Sequence, residues 1–165
     1  MDESFDVWYS REHPRVLSAS VALSGDADAA REATDEAFAR AIDHWGSVSD
    51  MAVPGAWAQR VALNCLRRAL RRRRLERLVH WRSPAPVEPP LVNPELWAAV
   101  RALPERQRLA VVLRYVSDLT EQQVAEVMGV RRGTVASTLA AARARLAGTL
   151  CDDDVSSPIE EVPHG

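Results

Sequence analysis

The chain carries little with which to do covalent chemistry. Only two of its 165 residues are cysteine, Cys65 and Cys151, and only four are histidine. No CxxC pair occurs and no cysteine–histidine cluster has ligand spacing, which excludes a disulfide framework and a zinc site. Glycine-rich phosphate loops and nucleophile–base motifs are also missing, so neither an enzyme nor a cofactor nor a metal is expected. Lysine is absent altogether, and all 21 residues in the lysine-plus-arginine count are arginine. That bias is compositional and carries no mechanism. No apolar run approaches the roughly 18 residues needed to cross a bilayer, and the opening MDESFDVWYS is acidic rather than basic. Both features predict a cytoplasmic protein without a membrane partner.

What is present suits a folded protein with charged partners. A hydrophobic content of 47% is enough for the cores of one domain or two small ones. The net charge of −2 hides a strong asymmetry. Residues 1–50 carry −7, residues 51–82 carry +8, residues 83–149 carry +2 and residues 150–165 carry −5. One part of such a chain can bind nucleic acid while another binds protein.

The sharpest local signal is LTEQQVAEVMGVRRGTVASTLAAARARL, residues 119–146. Thr120 suits an N-cap, Gln123 can reach back to it, and Leu119 can staple onto Val124. Apolar positions follow at Val124, Met128, Val130, Val135 and Leu139, with small Ala125 where a second helix must come close. Gly129 supplies the tight turn. This is helix-turn-helix spacing, with residues 132–146 as the helix that enters a major groove. An αα-hairpin packing only against its own domain shares parts of this pattern; the coincidence of cap, staple, small residue and glycine turn favours DNA binding.

Taken in order, residues 5–23 predict two short helices, with Pro14 in the first turn of the second. Gly25 breaks the pattern and Asp26 suits the N-cap of a helix over residues 27–45. That helix buries Ala30, Ala33, Ala37, Phe38, Ala41, Ile42 and Trp45. Its Glu32, Asp35 and Glu36 share an exposed side, either a solvated face or a docking surface for a basic partner. Residues 46–55, GSVSDMAVPG, read as a loop. A helix over residues 56–75 follows, with one apolar row at Trp57, Val61, Cys65 and Ala69 and another at Ala58, Ala62, Leu66 and Leu70. Its opposite side carries Arg60, Asn64, Arg67, Arg71 and Arg74 in one stripe. Like charges one turn apart repel, so a polyanion covering them makes the stripe easier to hold. Asn64 can donate and accept, which suits a base edge. Five prolines between residues 79 and 94 make a semi-rigid linker. Beyond it two supporting helices precede the helix-turn-helix, and the acidic tail, residues 149–165, is expected to be disordered.

Together these stretches resemble the extracytoplasmic-function (ECF) sigma factors of bacterial RNA polymerase. FDVWYSREHPRV, GDADAAREATDEAFARA and AWAQRVALNCLRRALRRRR are similar to the family's region two. ALPERQRLAVVLRYVSDLTEQQVAEVMGVRRGTV is similar to region four. The resemblance implies an all-α fold of two small helical domains: region two over residues 1–78 and region four over residues 95–148, joined by the proline-rich linker 79–94. It implies a non-enzymatic sigma factor that directs promoter-specific initiation, whose alternative is a stand-alone helix-turn-helix regulator.

Site roles follow from the same resemblance. Glu32, Asp35 and Glu36 would dock on the clamp helices of the polymerase's largest subunit. Asn64 and the loop before its helix would capture flipped minus-ten bases, with Arg60, Arg67, Arg71 and Arg74 on the backbone. Arg131, Arg132, Thr134, Ser137, Thr138 and Arg143 would contact the minus-thirty-five element. The implied partners are core polymerase, promoter DNA and, by family habit, an anti-sigma protein that nothing in the sequence identifies. Two departures from the family pattern stand out. Ala136, Thr138 and Ala141 occupy positions that are often basic, which predicts weak minus-thirty-five binding through phosphates and shape, or an unusual preferred sequence. Ala33 and Thr34 replace larger aliphatics and Asp35 replaces a common glutamine, which predicts reduced polymerase affinity.

Overall fold

The computed structural model describes residues 3–80 and 93–155, and among them it shows eight α-helices and no strand. The all-α expectation holds. The first helix, α1 (Phe5–Ser24), is continuous where two short helices were expected, with Pro14 in its interior. A proline in a helix interior costs roughly 3 kcal/mol, because it leaves the carbonyl four residues back without its N–H. Burial of Trp8, Val16, Ala19 and Ser20 along the helix outweighs that cost, since each large apolar side chain contributes roughly 1.5–3 kcal/mol. Gly25 ends α1 in the left-handed region at φ 66°. Asp26 then caps α2 (Ala27–Asp43), accepting from the Ala29 N–H at 2.9 Å.

Small residues set the spacing of the next contact. α2 turns Ala29, Ala33, Ala37 and Ala41 inward, and α4 (Pro54–His80) meets it with Ala58, Ala62 and Ala69. Such surfaces let two helices approach to the short end of the usual 8–10 Å interaxial range. Ala33 is inside this contact and Thr34 is fully buried, its hydroxyl donating to the Ala30 carbonyl at 2.8 Å. Their small size therefore acts on helix packing rather than on an exposed face. Aromatic rings close the other end, where Trp8 lies 5.0 Å from Phe38 and 4.9 Å from Trp45 between ring centroids.

The stretch expected as a loop over residues 46–55 is partly helical. Buried Val48 and the packed ring of Trp45 pin a short helix, α3 (Trp45–Ser49), and only residues 50–53 remain irregular before Pro54 opens α4. α4 is longer at both ends than the expected 56–75 and takes in residues 79–80 of the predicted linker; residues 81–92 of that linker lie outside the described residues. The second half contains α5 (Pro94–Ala102), α6 (Glu105–Tyr115), α7 (Glu121–Met128) and α8 (Arg132–Val155). α8 passes well beyond residue 146 into the stretch expected to be disordered. An alanine-rich helix, once nucleated, gains a backbone hydrogen bond for every residue added. Residues 156–165 lie outside the described residues.

The two halves are not apart. Ala19, Ala56 and Leu63, with Ala22, Leu23 and Val53 beside them, join one apolar cluster with Val100, Leu109, Leu113, Val124, Val135 and Leu139 of the second half. α4 thus packs on α2 with one side and on α7 with another.

Candidate nucleic-acid interface

The helix-turn-helix is built as its sequence requires. Thr120 accepts from the Gln123 N–H at 3.3 Å, and the Gln123 side chain accepts from the Thr120 N–H at 2.8 Å, closing a capping box at the head of α7. Leu119 and Val124 are buried in the same cluster. Gly129 adopts φ 67°, and the Val130 N–H reaches the Ala125 carbonyl at 3.0 Å, which turns the chain into α8. Val135, Leu139 and Ala142 hold α8 down.

Of the residues predicted for the minus-thirty-five element, Arg131 to Thr138 lie at or near the start of α8 and Arg143 stands mid-helix, and they do not share one face. Arg131, Arg132, Thr134, Ser137 and Arg143 are exposed and Thr138 is half-buried. Helical spacing puts Thr134 and Thr138 on one flank, with Arg132 and Arg143 on the other, about 16 Å apart along the axis. Between the flanks, opposite the buried row, stand Gly133, Ser137, Ala140 and Ala144. The Ser137 and Thr138 hydroxyls both donate to the Thr134 carbonyl, at 3.0 and 2.7 Å. Arg132 reaches Glu121 at 3.4 Å, tying α8 to the head of α7.

On α4 the stripe is present as spaced. Arg60, Asn64, Arg67, Arg71 and Arg74 are all exposed, and among the described residues these four arginines make no ion pair. Asn64 stays outside the cluster that its neighbour Leu63 enters. Arg67 stands at the seam between the halves, beside a groove lined by Leu23, Leu63, Leu70, Glu105 and Arg108.

The acids that balance α4 come from α2, which single-helix periodicity does not reveal. Glu32 holds Arg72 at 2.6 Å and Arg73 at 3.6 Å; Glu36 holds Arg40 and, at 3.5 Å, Arg68. Asp26 accepts from Arg73 at 2.6 Å. Asp35 lies 3.3 Å from His13, whose ring packs against Tyr9 and Phe38. Glu32, Asp35 and Glu36 are exposed, as expected, yet each has a partner within the chain. The Arg72 guanidinium, followed by Arg73, holds the Glu32 carboxyl below its ordinary value, and Glu32 in turn raises Arg72. Glu32 and Glu36 are one turn apart, and so are Arg68 and Arg72, so the two sets meet in register once the helices pack.

Known proteins with these features agree with one another. The family models for sigma-70 region 2 and sigma-70 region 4 match residues 8–76 and 94–146. The ECF RNA polymerase sigma factor SigM of Mycobacterium tuberculosis is 30% identical over 151 residues, covering 89% of this chain and 77% of SigM. The chain belongs to the ECF sigma factors. As a sigma factor it binds RNA polymerase and directs transcription initiation. The sigma-E factor of Streptomyces coelicolor is 27% identical over 161 residues, which cover 93% of this sigma factor and 89% of that one. In fold, the sigma factor RpoE of Bartonella quintana, solved with the anti-sigma factor NepR, superposes with a TM-score of 0.75 at 22% identity, covering 88% of this chain and 96% of that one. The match of region 2 across the first half sets aside the stand-alone helix-turn-helix regulator. No helix among the described residues is long and apolar enough to cross a membrane.

Proposed function

We propose that this sigma factor grips polymerase and promoter through three separate surfaces, without covalent catalysis and in the cytoplasm. The first unit, residues 1–78, docks through Glu32, Asp35 and Glu36 on the arginine-rich clamp helices of the largest polymerase subunit. Asn64, with the residues preceding α4, takes flipped minus-ten bases, while Arg60, Arg67, Arg71 and Arg74 hold the phosphates; arginines supply affinity and a shaped polar site supplies choice of base. The second unit, residues 95–148, sets α8 in the major groove at minus thirty-five. Its small central face admits contact with thymine methyl groups, and its few arginines point to phosphate-borne binding.

The observation that carries this reading is the unpaired arginine stripe around exposed Asn64. Arginines of the same helix outside the stripe, Arg68, Arg72 and Arg73, are matched by acids. The named promoter elements lie about 25 base pairs apart, or roughly 85 Å at about 3.4 Å per step. A compact chain of this size measures roughly 40 Å across, so the halves part when both elements are held. An anti-sigma protein is a further proposed partner, supported by one fold relative, RpoE, solved with the anti-sigma factor NepR.

Run-off transcription with purified core on a promoter library tests the whole reading. Wild-type chain gives sequence-selective transcripts. The Glu32→Arg/Glu36→Arg double variant gives none and does not bind core, with an unchanged circular dichroism spectrum. Normal core association of that variant would remove α2 from the docking role.

A further inference from the structure

α4 carries two parallel sets of arginines in different states. Arg60, Arg67, Arg71 and Arg74 face water unpaired, whereas Arg68 and Arg72, each one residue along from a stripe member, lean toward α2. Across a cleft of about 240 Å³ between the helices they meet Glu36 and Glu32 in matched register, turn for turn. All four side chains are between 42% and 57% exposed. Arg68 also rests 3.1 Å from the Cys65 thiol. Arg73 differs: its pair with Asp26 is largely covered, and it belongs to the fixed framework.

We infer that Glu32 and Glu36 form an exchange site, holding Arg72 and Arg68 in the free chain and releasing them to the promoter backbone when arginines of the polymerase take their place. This rests on the docking role proposed for α2. Exposed pairs between long side chains are weak, so replacing one guanidinium by another costs little. The released side chains are already beside the unpaired stripe, and a guanidinium on a flexible stem can turn to either flank of its helix. Polymerase binding thereby enlarges the basic surface of α4 from four arginines to six. In the free chain the same carboxylates lower its attraction for nucleic acid in general.

Two variants of the full chain test the exchange. Arg68→Gln/Arg72→Gln removes the α4 exchange partners, leaving Arg40 on Glu36 and Arg73 on Glu32, and core binding tightens about two- to tenfold. In the holoenzyme of that variant, the salt dependence of promoter binding falls by about one to two in log–log slope. The complementary Glu32→Gln/Glu36→Gln variant cuts both arginines loose from α2 without polymerase, with Glu76 of the same helix still 3.7 Å from Arg72. Its binding to non-specific duplex DNA steepens by about one to two in the same slope. Core affinity equal to or below wild type in the arginine variant overturns the masking; unchanged slopes overturn the release. A wild-type chain that ignores core refutes the docking role itself, and the free-chain DNA measurement, which uses no polymerase, separates that failure from failure of the exchange. Circular dichroism on both variants verifies the fold.

Discussion

Replacing Asp26 separates two jobs done by one carboxylate oxygen. Oδ1 accepts the Ala29 N–H at 2.9 Å, capping α2, and the Arg73 guanidinium at 2.6 Å, fastening α2 to α4. Asparagine caps as well as aspartate but has no charge, so Asp26→Asn isolates the ion pair; alanine removes both contacts. A hydrogen bond to a charged group contributes roughly 1.5–3 kcal/mol. With the Asp26 and Arg73 side chains still 21% and 26% exposed, about 1 kcal/mol is expected for Asp26→Asn. The cap adds about 1 kcal/mol, so Asp26→Ala costs about 2 kcal/mol. At about 2–4 °C per kcal/mol for a chain of this size, the midpoints fall by about 2–4 °C and 4–8 °C. A double-mutant cycle with Arg73→Gln should return a coupling of about 1 kcal/mol in urea unfolding, a design that matters because Arg73 also meets Glu32.

The pH dependence has a definite sign. Burial pushes the Asp26 carboxyl up, but the Ala29 N–H and the Arg73 guanidinium outweigh it and leave it below its ordinary 3.8. Its contribution is therefore complete above 3.8 and is lost as the pH falls below that value through the lower folded one. Wild type and Asp26→Asn should converge in acid. Zero coupling in the cycle, or equal stability of the two proteins at pH 7, would refute the fastening of α2 by charge. Asp26→Ala no worse than Asp26→Asn would refute the cap.

Other surfaces make independent predictions. Asn64→Ala should weaken open-complex formation at a cognate promoter by about 1–3 kcal/mol, read by permanganate footprinting, with core binding unchanged. Equal melting would contradict the base-capture role. Thr120→Ala breaks the capping box of α7 and should cost about 1 kcal/mol in thermal unfolding. Leu63→Glu puts a charge into the seam between the halves; small-angle scattering should show a larger radius of gyration with helicity retained, and an unchanged radius would deny that this seam holds the halves together.

The parts of the fold legible in the sequence are those set by neighbours a few residues away. Thr120 and Gln123 name a capping box, Gly129 a left-handed turn, and the 60–74 spacing a single stripe, and each stands where its spacing puts it. Pro14 and the glycine–serine composition of residues 46–49 misled because local preference lost to burial of Val16 and Val48. The pairing of Glu32 with Arg72 spans forty residues and depends on how two helices lie together, which periodicity within either cannot supply. Leu63 and Ala56 fall outside the two apolar rows of α4 for a related reason: their neighbours are in the other half of the chain.

That shared seam bears on how the protein is made. Synthesis delivers α1 and α4 before the residues that cover Leu23, Val53 and Leu63 have left the ribosome. Until α5 to α7 arrive, the nascent first half shows water an oily patch of leucine, valine and alanine, the kind of surface that recruits chaperones or other copies of itself. A fragment ending at His80 would keep the first half's share of that patch uncovered for good.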